Sequence, residues 1–325
     1  MISRRHLLGT AAALPVAAGV SPALAQDYPR RSIQIIVAAA AGGPTDVGGR
    51  ILAAIVEKDL GQSVIVVNKP GAGSQLGLTE LARARPDGYT LGFIHMPGMN
   101  TLILDPERKA AFGTDSFIPI INQVLDPGVI WVKADSPFRT LDDLVKAARA
   151  NPGKLSACTT GILSDDHLAI LMLNEAAKTD FRIVHFDGAA QQLTAILGGH
   201  VDVAFDNVGS VRKRAQSGEV RVLAVMDAQR ARLMADAPTT TELGYPTVIS
   251  SSTRGIAAPK GTPATVVKVI ETSFRKAMEN PEHIRRMEEA GLEIRIMVGE
   301  EYAKYLADQH AKAAKYTEWA KKMQG

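Results

Sequence analysis

Short apolar runs alternate with helix-patterned segments along almost the whole chain, and that alternation restricts it to a layered α/β architecture. The runs cover residues 33–37, 64–67, 90–94, 129–133, 155–159, 182–186, 201–205, 220–225 and 254–257. Continuous β-branched stretches of this length suit buried, mainly parallel strands. Between the first two, Val47, Ile51, Ile55 and Leu60 recur at helical spacing and Gly61 ends the helix. Helices are also expected over 141–150, stopping before Pro152-Gly153, over 165–178 with Leu168, Leu171 and Met172 on one face, and over 300–323 with a stripe of Tyr302, Leu306, Ala313, Tyr316 and Met323.

The first residues carry an address instead of a fold. Arg4 and Arg5 precede a stretch rich in Ala, Leu and Val, and Ala23-Leu24-Ala25 supplies small residues before Gln26. This predicts an export signal over residues 1–25, cleaved before Gln26. The apolar run is broken by Gly9, Thr10 and Pro15 and falls short of the roughly 20 residues a membrane span needs. Ser3-Arg4-Arg5 before Leu7-Leu8 fits a twin-arginine signal, and a basic Sec signal explains the same residues. A periplasmic protein is expected.

Lys and Arg total 37 against 34 Asp and Glu, and two of the basic residues lie in the leader. A nearly neutral chain has no nucleic-acid or membrane-surface footprint. The single cysteine, Cys158, cannot form an internal disulfide and reads as a small buried apolar residue. Its length exceeds the usual single core, so two domains are expected. Weak breaks at Asp126-Pro127-Gly128 and Leu243-Gly244-Tyr245-Pro246 are the candidate boundaries.

Two Gly-rich turns follow the first two strands and open helices: Gly42-Gly43-Pro44-Thr45-Asp46, and Asn68-Lys69-Pro70-Gly71-Ala72-Gly73 running on to Gly77. Such turns leave unpaired N–H groups at a helix N-terminus, a seat for an anionic group. With Pro86-Asp87-Gly88-Tyr89-Thr90-Leu91 in the same order, they resemble the TctC-like or Bug family, extracytoplasmic receptors of tripartite tricarboxylate transporters. Asn151-Pro152-Gly153, Phe186-Asp187-Gly188, Leu197-Gly198-Gly199-His200-Val201-Asp202 and Ala258-Pro259-Lys260-Gly261-Thr262-Pro263 extend the resemblance over the rest of the chain.

The resemblance implies a two-lobed periplasmic binding protein of the type II clamshell kind, each lobe a mainly parallel sheet flanked by helices. Residues 26–125 and 250–325 would form lobe 1 and residues 126–249 lobe 2, with two strand crossings as a hinge. It further implies a receptor without enzymatic activity or cofactor, expected as a monomer, that passes a small organic acid to the membrane subunits of the transporter. An exported hydrolase or a ligand-presenting sensor is the competing class.

In the first turn the expected ligand donors are the N–H groups of Gly42, Gly43, Thr45 and Asp46 with the Thr45 hydroxyl, and glycine allows close approach. In the second lobe Ser164 should cap the helix from Asp165, with donors from Gly161 onward. Ala39, Ala41 and Thr160 complete the contact set. An ordinary strand-to-helix turn would use the same residues for capping alone. The Asp46 carboxylate caps the helix dipole, and the resemblance gives it a loop-orienting role beside the ligand. Asp206, just past a strand, either accepts a ligand hydroxyl or ammonium hydrogen or is a solvated loop residue. His95 follows a strand whose carboxyl end should face the cleft.

Two departures from the family pattern bear on specificity. Ala38 to Ala41 stand where prolines and an aromatic are usual, and Leu163 stands where glycine is usual, followed by Asp165 and Asp166. Acids facing the cleft would disfavour a second ligand carboxylate, leaving open a monocarboxylate or a ligand with a polar or cationic far end. Enzyme motifs are weak. Gly71 to Gly77 lacks the acidic residue that a dinucleotide site places after the next strand. Ser164-Asp165-Asp166-His167 cannot form a relay within one helical turn. His95, His167, His185 and His200 show no metal-ligand spacing.

Overall fold

The computed structural model describes residues 28–186 and 189–324, with the side chains of 189–190 and 319–324 left aside. The expected export signal, Asp187 and Gly188 of one motif, and Met323 of the C-terminal stripe lie outside what is described.

In chain order the elements are β1 (Ile33–Val37), α1 (Pro44–Leu60), β2 (Val64–Asn68), α2 (Gln75–Arg83), β3 (Thr90–Met96), α3 (Gly98–Leu104), β4 (Phe117–Lys133), α4 (Leu141–Ala150), β5 (Ser156–Thr159) and α5 (Asp165–Ala177). There follow β6 (Arg182–His185), α6 (Ala189–Leu197), β7 (Val203–Asn207), α7 (Val208–Gln216), β8 (Val220–Met226), β9 (Ser251–Pro259), α8 (Ala264–Met278), α9 (Pro281–Glu289), β10 (Ile294–Val298) and α10 (Gly299–Gln324). Local chemistry accounts for the ends. Gly61 closes α1 at φ 62°, its N–H bonded to Glu57 O. Thr140 and Asp143 form a reciprocal capping box on α4.

The architecture is α/β and two-lobed, but the sheets are more mixed than the apolar runs suggested. Parallel pairs β1–β2, β1–β3, β5–β6 and β5–β7 sit beside antiparallel pairs of β4 with β7, β8, β9 and β10, and of β3 with β9. The cause is β4, a continuous 17-residue strand whose first half pairs with β9 and whose second half pairs with β7 and β8. The break read at Asp126-Pro127-Gly128 therefore falls inside a strand. Pro127 has no N–H to give, and it sits where the pairing partner changes, next to Gly128 N–H bonded to Ser250 O at 2.8 Å.

Each lobe has its own apolar core. Ile35, Leu52, Phe93, Ile256 and Phe274 pack in one, and Ile130, Leu144, Leu171, Phe205 and Val248 in the other. Helix α10 belongs to both, because Tyr302 and Leu306 join a cluster of the first lobe while Ala313 and Tyr316 join the core of the second. Among the described residues no helix is long and apolar enough to cross a membrane.

Candidate functional site

The first turn is organised by one carboxylate. Asp46, 3 % exposed, accepts the Gly42 N–H at 2.8 Å, Asn68 Nδ2 at 3.0 Å and Arg50 Nε at 3.0 Å. Burial alone would raise its pKa, but the hydrogen bonds from Arg50, Gly42 and Asn68 and the Arg50 charge together hold it below the ordinary value. Asp46 thus orients the loop, as expected. The same bond removes Gly42 N–H from the expected donor set, and Gly43 N–H turns to Ala40 O in a long 3.4 Å contact. Pro44 at the first helical position has no N–H, and Val47 N–H already bonds Gly43 O. The N–H groups that helix geometry leaves without an intrahelical partner are those of Thr45 and Asp46. Ala39 is half-buried and Ala41 exposed on the approach to the turn.

The other Gly-rich turn is packing. A Cβ on Gly77 would lie 2.7 Å from Ala38 Cβ and 2.8 Å from Lys69 O, so glycine there lets α2 close onto the sheet.

The second-lobe turn has the same plan with different outcomes. Ser164 caps α5, its Oγ accepting His167 N–H at 3.2 Å, as expected. Asp166 plays the part of Asp46 and accepts both Thr160 N–H at 3.0 Å and Thr160 Oγ1 at 2.5 Å. Gly161 N–H goes to Thr159 Oγ1 and Leu163 N–H to His167 Nδ1. Thr160 and Gly161, expected as ligand donors, are therefore engaged within the turn. Leu163 takes φ 58°, the left-handed region where glycine is favoured. It is held there by His167 and by Thr101 Oγ1 of α3 on Leu163 O at 2.8 Å. Asp165 accepts Asn207 Nδ2 at 2.8 Å.

Between the lobes, where β4 and β9 cross, lies a cavity of about 220 Å³ whose lining includes Gly42, Pro44 and Val47 from the first turn, Gly209 of α7, Asp126 of β4 and Arg254 of β9. Larger cavities, of about 570, 540, 400 and 310 Å³, lie elsewhere; the first is lined by Gln34 and Thr90, at the opening ends of β1 and β3. In an open α/β sheet ligands sit outside the carboxyl ends of strands, so the smaller cavity is the candidate site.

Its floor is charged. Asp126, 4 % exposed, accepts Gly209 N–H on Oδ1 at 3.0 Å, and no hydrogen bond among the described residues reaches Oδ2. Burial pushes its pKa up to about 6 against the pull of the Arg254 charge, with Asp165 and Glu293 adding to the rise. Arg254 Nη1 is buried without a hydrogen-bond partner. Asp206 is buried as well, not a solvated loop residue. Burial raises it to about 7, Asp165 and Asp126 adding to the rise, and it accepts Asn207 N–H at 2.7 Å. Asp165 and Asp166 are raised by burial too, and Asp166 further by the charges of Asp165 and Asp206.

His95 pairs in register with Arg254 but lies outside the cavity lining, its ring packed on Gly98 at the start of α3. Burial and the Arg254 charge lower its pKa to about 4, keeping it neutral. Asp126, Arg254 and Gly209 did not stand out in the sequence. The available signal was a charged residue opening an apolar run at 254 and an acid before the Pro-Gly pair. Among the described residues no group of His, Cys, Asp and Glu could hold a metal ion.

A family model described as the tripartite tricarboxylate transporter family receptor, TctC, matches residues 49–319. The chain belongs to the TctC family. Receptors of this family are periplasmic solute-binding proteins and not enzymes. The fold of this TctC receptor is similar to that of a TctC solute-binding protein from Polaromonas, without ligand, at TM-score 0.80 and 29 % identity over 90 % of this chain and 99 % of that one. It is also similar to MatC from Rhodopseudomonas palustris with bound malate, at TM-score 0.72 and 26 % identity over 89 % and 99 % of the two chains. A second R. palustris protein, with adipate, superposes at TM-score 0.74 and 26 % identity over 91 % and 98 %.

Proposed function

We propose that this receptor captures a small organic acid in the cavity between α1 and the β4–β9 crossing and delivers it to the membrane subunits of a tripartite tricarboxylate-type transporter. The observation that carries the reading is that the first turn of the 17-residue α1, through Gly42, Pro44 and Val47, lines the same cavity as Arg254, whose buried Nη1 has no hydrogen-bond partner. Both are seats for a carboxylate, and the helix end needs no side chain to hold it. Malate and adipate in the two R. palustris relatives support an acid as the ligand.

Residues 26–125 and 250–325 would then serve as lobe 1, with the far part of α10 packed on lobe 2, and 126–249 as lobe 2, the chain acting as a monomer after export and cleavage before Gln26. Closure would bring Gly209 and Ser210 toward the first turn around the ligand. Mass spectrometry of small molecules released from the purified protein tests the proposal, followed by small-angle scattering with and without the released compound. A carboxylic acid that lowers the radius of gyration is the expected result. Release of no acid, or saturation with no change in scattering, would defeat the clamshell receptor reading.

A further inference from the structure

A cavity of about 310 Å³ in the first lobe shares no lining residue with the one between the lobes. It lies among β3, α3, the start of β4 and α10. Ile94, Met96, Met99, Phe117 and Leu306 supply apolar walls, and the exposed Ala303, Ala307 and Ala311 keep the α10 side low. None of its lining residues is an acid, a lysine or an arginine. An ion entering it would give up water with no opposite charge to meet, whereas Asp126 and Arg254 stand in the cavity between the lobes.

One polar group is built into the wall. His310 lines the cavity, and its Nδ1 meets Oδ1 of the fully buried Asn100 of α3 at 2.9 Å. That contact uses one ring nitrogen, and no hydrogen bond among the described residues reaches the other, Nε2. Asn100 Nδ2 is buried with no partner among the described residues, so turning the amide over exchanges the atom that meets the ring and with it the tautomer of His310. A hydroxyl suits Nε2 in either arrangement, because it both donates and accepts.

We propose that this cavity is a binding site for an uncharged single-ring aromatic molecule carrying a hydroxyl, its ring among Met96, Met99 and Phe117 and its hydroxyl on His310 Nε2. Thioether sulfurs and an aromatic face favour a ring over an aliphatic chain. The volume is the room of roughly ten waters, enough for one ring with a short substituent. Helix α3 also holds the other lobe, Thr101 Oγ1 donating to Leu163 O at 2.8 Å, so an occupant between α3 and α10 bears on a contact between the lobes. The site stands apart from the organic-acid reading and does not rest on it.

p-Cresol and toluene, which differ by one hydroxyl, are the probes, measured by calorimetry and hydrogen exchange on the full mature chain. p-Cresol should bind once per chain, at least five-fold tighter than toluene, and slow exchange in α3 and across residues 303–311. Ala307→Phe, which fills the cavity from an exposed position of α10, should weaken both probes ten-fold or more at an unchanged melting temperature. His310→Phe keeps a ring of similar size and should bring p-cresol down to the affinity of toluene; if loss of the Asn100 contact unfolds that variant, Ala307→Phe decides alone. No saturable binding of p-cresol, equal affinity for the two probes, or p-cresol binding that survives Ala307→Phe overturns the proposal and leaves the organic-acid receptor standing.

Discussion

Asp46 and Asp166 occupy corresponding places, each an aspartate in the first turn of a helix whose carboxylate reaches back to a backbone N–H of the preceding loop. Their surroundings then diverge. Asp46 has a cation and an amide as well, and its carboxyl is held below the usual range. Asp166 has only Thr160 on one oxygen, its Oδ1 is buried with no partner, and burial together with Asp165 and Asp206 pushes it well up. One brace is a stable anion that leaves the Thr45 and Asp46 N–H groups without an intrahelical partner; the other favours its neutral form and closes its turn on itself. A strand-to-helix turn is thus not an anion site by shape alone, since the partners of its own acid decide which N–H groups remain.

The sharpest break of that comparison is Gly43→Val. Its backbone lies at φ −73°, which any residue adopts, so the fold should stand while the added methyl groups enter the anion seat. Ligand affinity should fall at least ~100-fold, about 2.7 kcal/mol; retained affinity in calorimetry would remove the first turn from the site. Next come the two acids. Asp46→Ala should cost about 3 kcal/mol in urea unfolding, because Asn68 and Gly42 N–H lose a buried acceptor. Asp166→Asn should stay within about 1 kcal/mol at neutral pH, since it replaces an acid that favours its protonated state. Equal losses in the two would erase the distinction.

The pH dependence sharpens it further. A carboxyl whose folded pKa is raised binds more protons folded than unfolded, so its contribution to stability is fullest below the unfolded value and is lost as pH rises through the folded one. For Asp126 and Asp206 that window runs from about 4 up to about 6 and about 7. At about 1.4 kcal/mol per pH unit of that window, unfolding free energy should fall across it by up to about 3 kcal/mol for Asp126 and about 4 kcal/mol for Asp206, and Asp126→Asn with Asp206→Asn should flatten the slope. A flat profile in the unsubstituted protein would show these acids to be better solvated than their burial implies. The smallest effect is Ser164→Ala, which removes one cap on α5 and should cost about 1 kcal/mol in the same measurement.

What the sequence made legible was local. Helix α1 with its Gly61 stop and the Ser164 cap follow from residues acting on their own neighbourhood. The first half of β4 escaped because it carries Pro119, Asn122 and Gln123, which read as loop. Asn122 donates to Val124 O and Arg295 O, and Gln123 donates to Gly48 O and meets His283, so buried amides there do the work expected of apolar side chains. Helix α9 carried a readable start, Asn280 before Pro281, that its charged sequence obscured. The first turn stood out in the sequence, but Asp126 and Arg254 did not. They converge only because β4 and β9 run side by side through the crossing, Asp126 opposite Ser252 and Arg254 opposite Val124.

Helix α10 has a consequence for motion. Its 26 residues make a rod about 39 Å long. One end is set among Tyr302 and Leu306 in the first lobe, and farther along Tyr316 donates its hydroxyl to Glu175 of α5 at 2.9 Å. A rod anchored in both halves works as a splint across the joint. It opposes wide gaping and leaves rolling about its own axis as the soft direction, so a helix with no residue in the lining of the cavity between the lobes would set the stroke of the proposed closure. Shortening the rod before Tyr316 would lengthen that stroke while leaving every residue of the cavity in place.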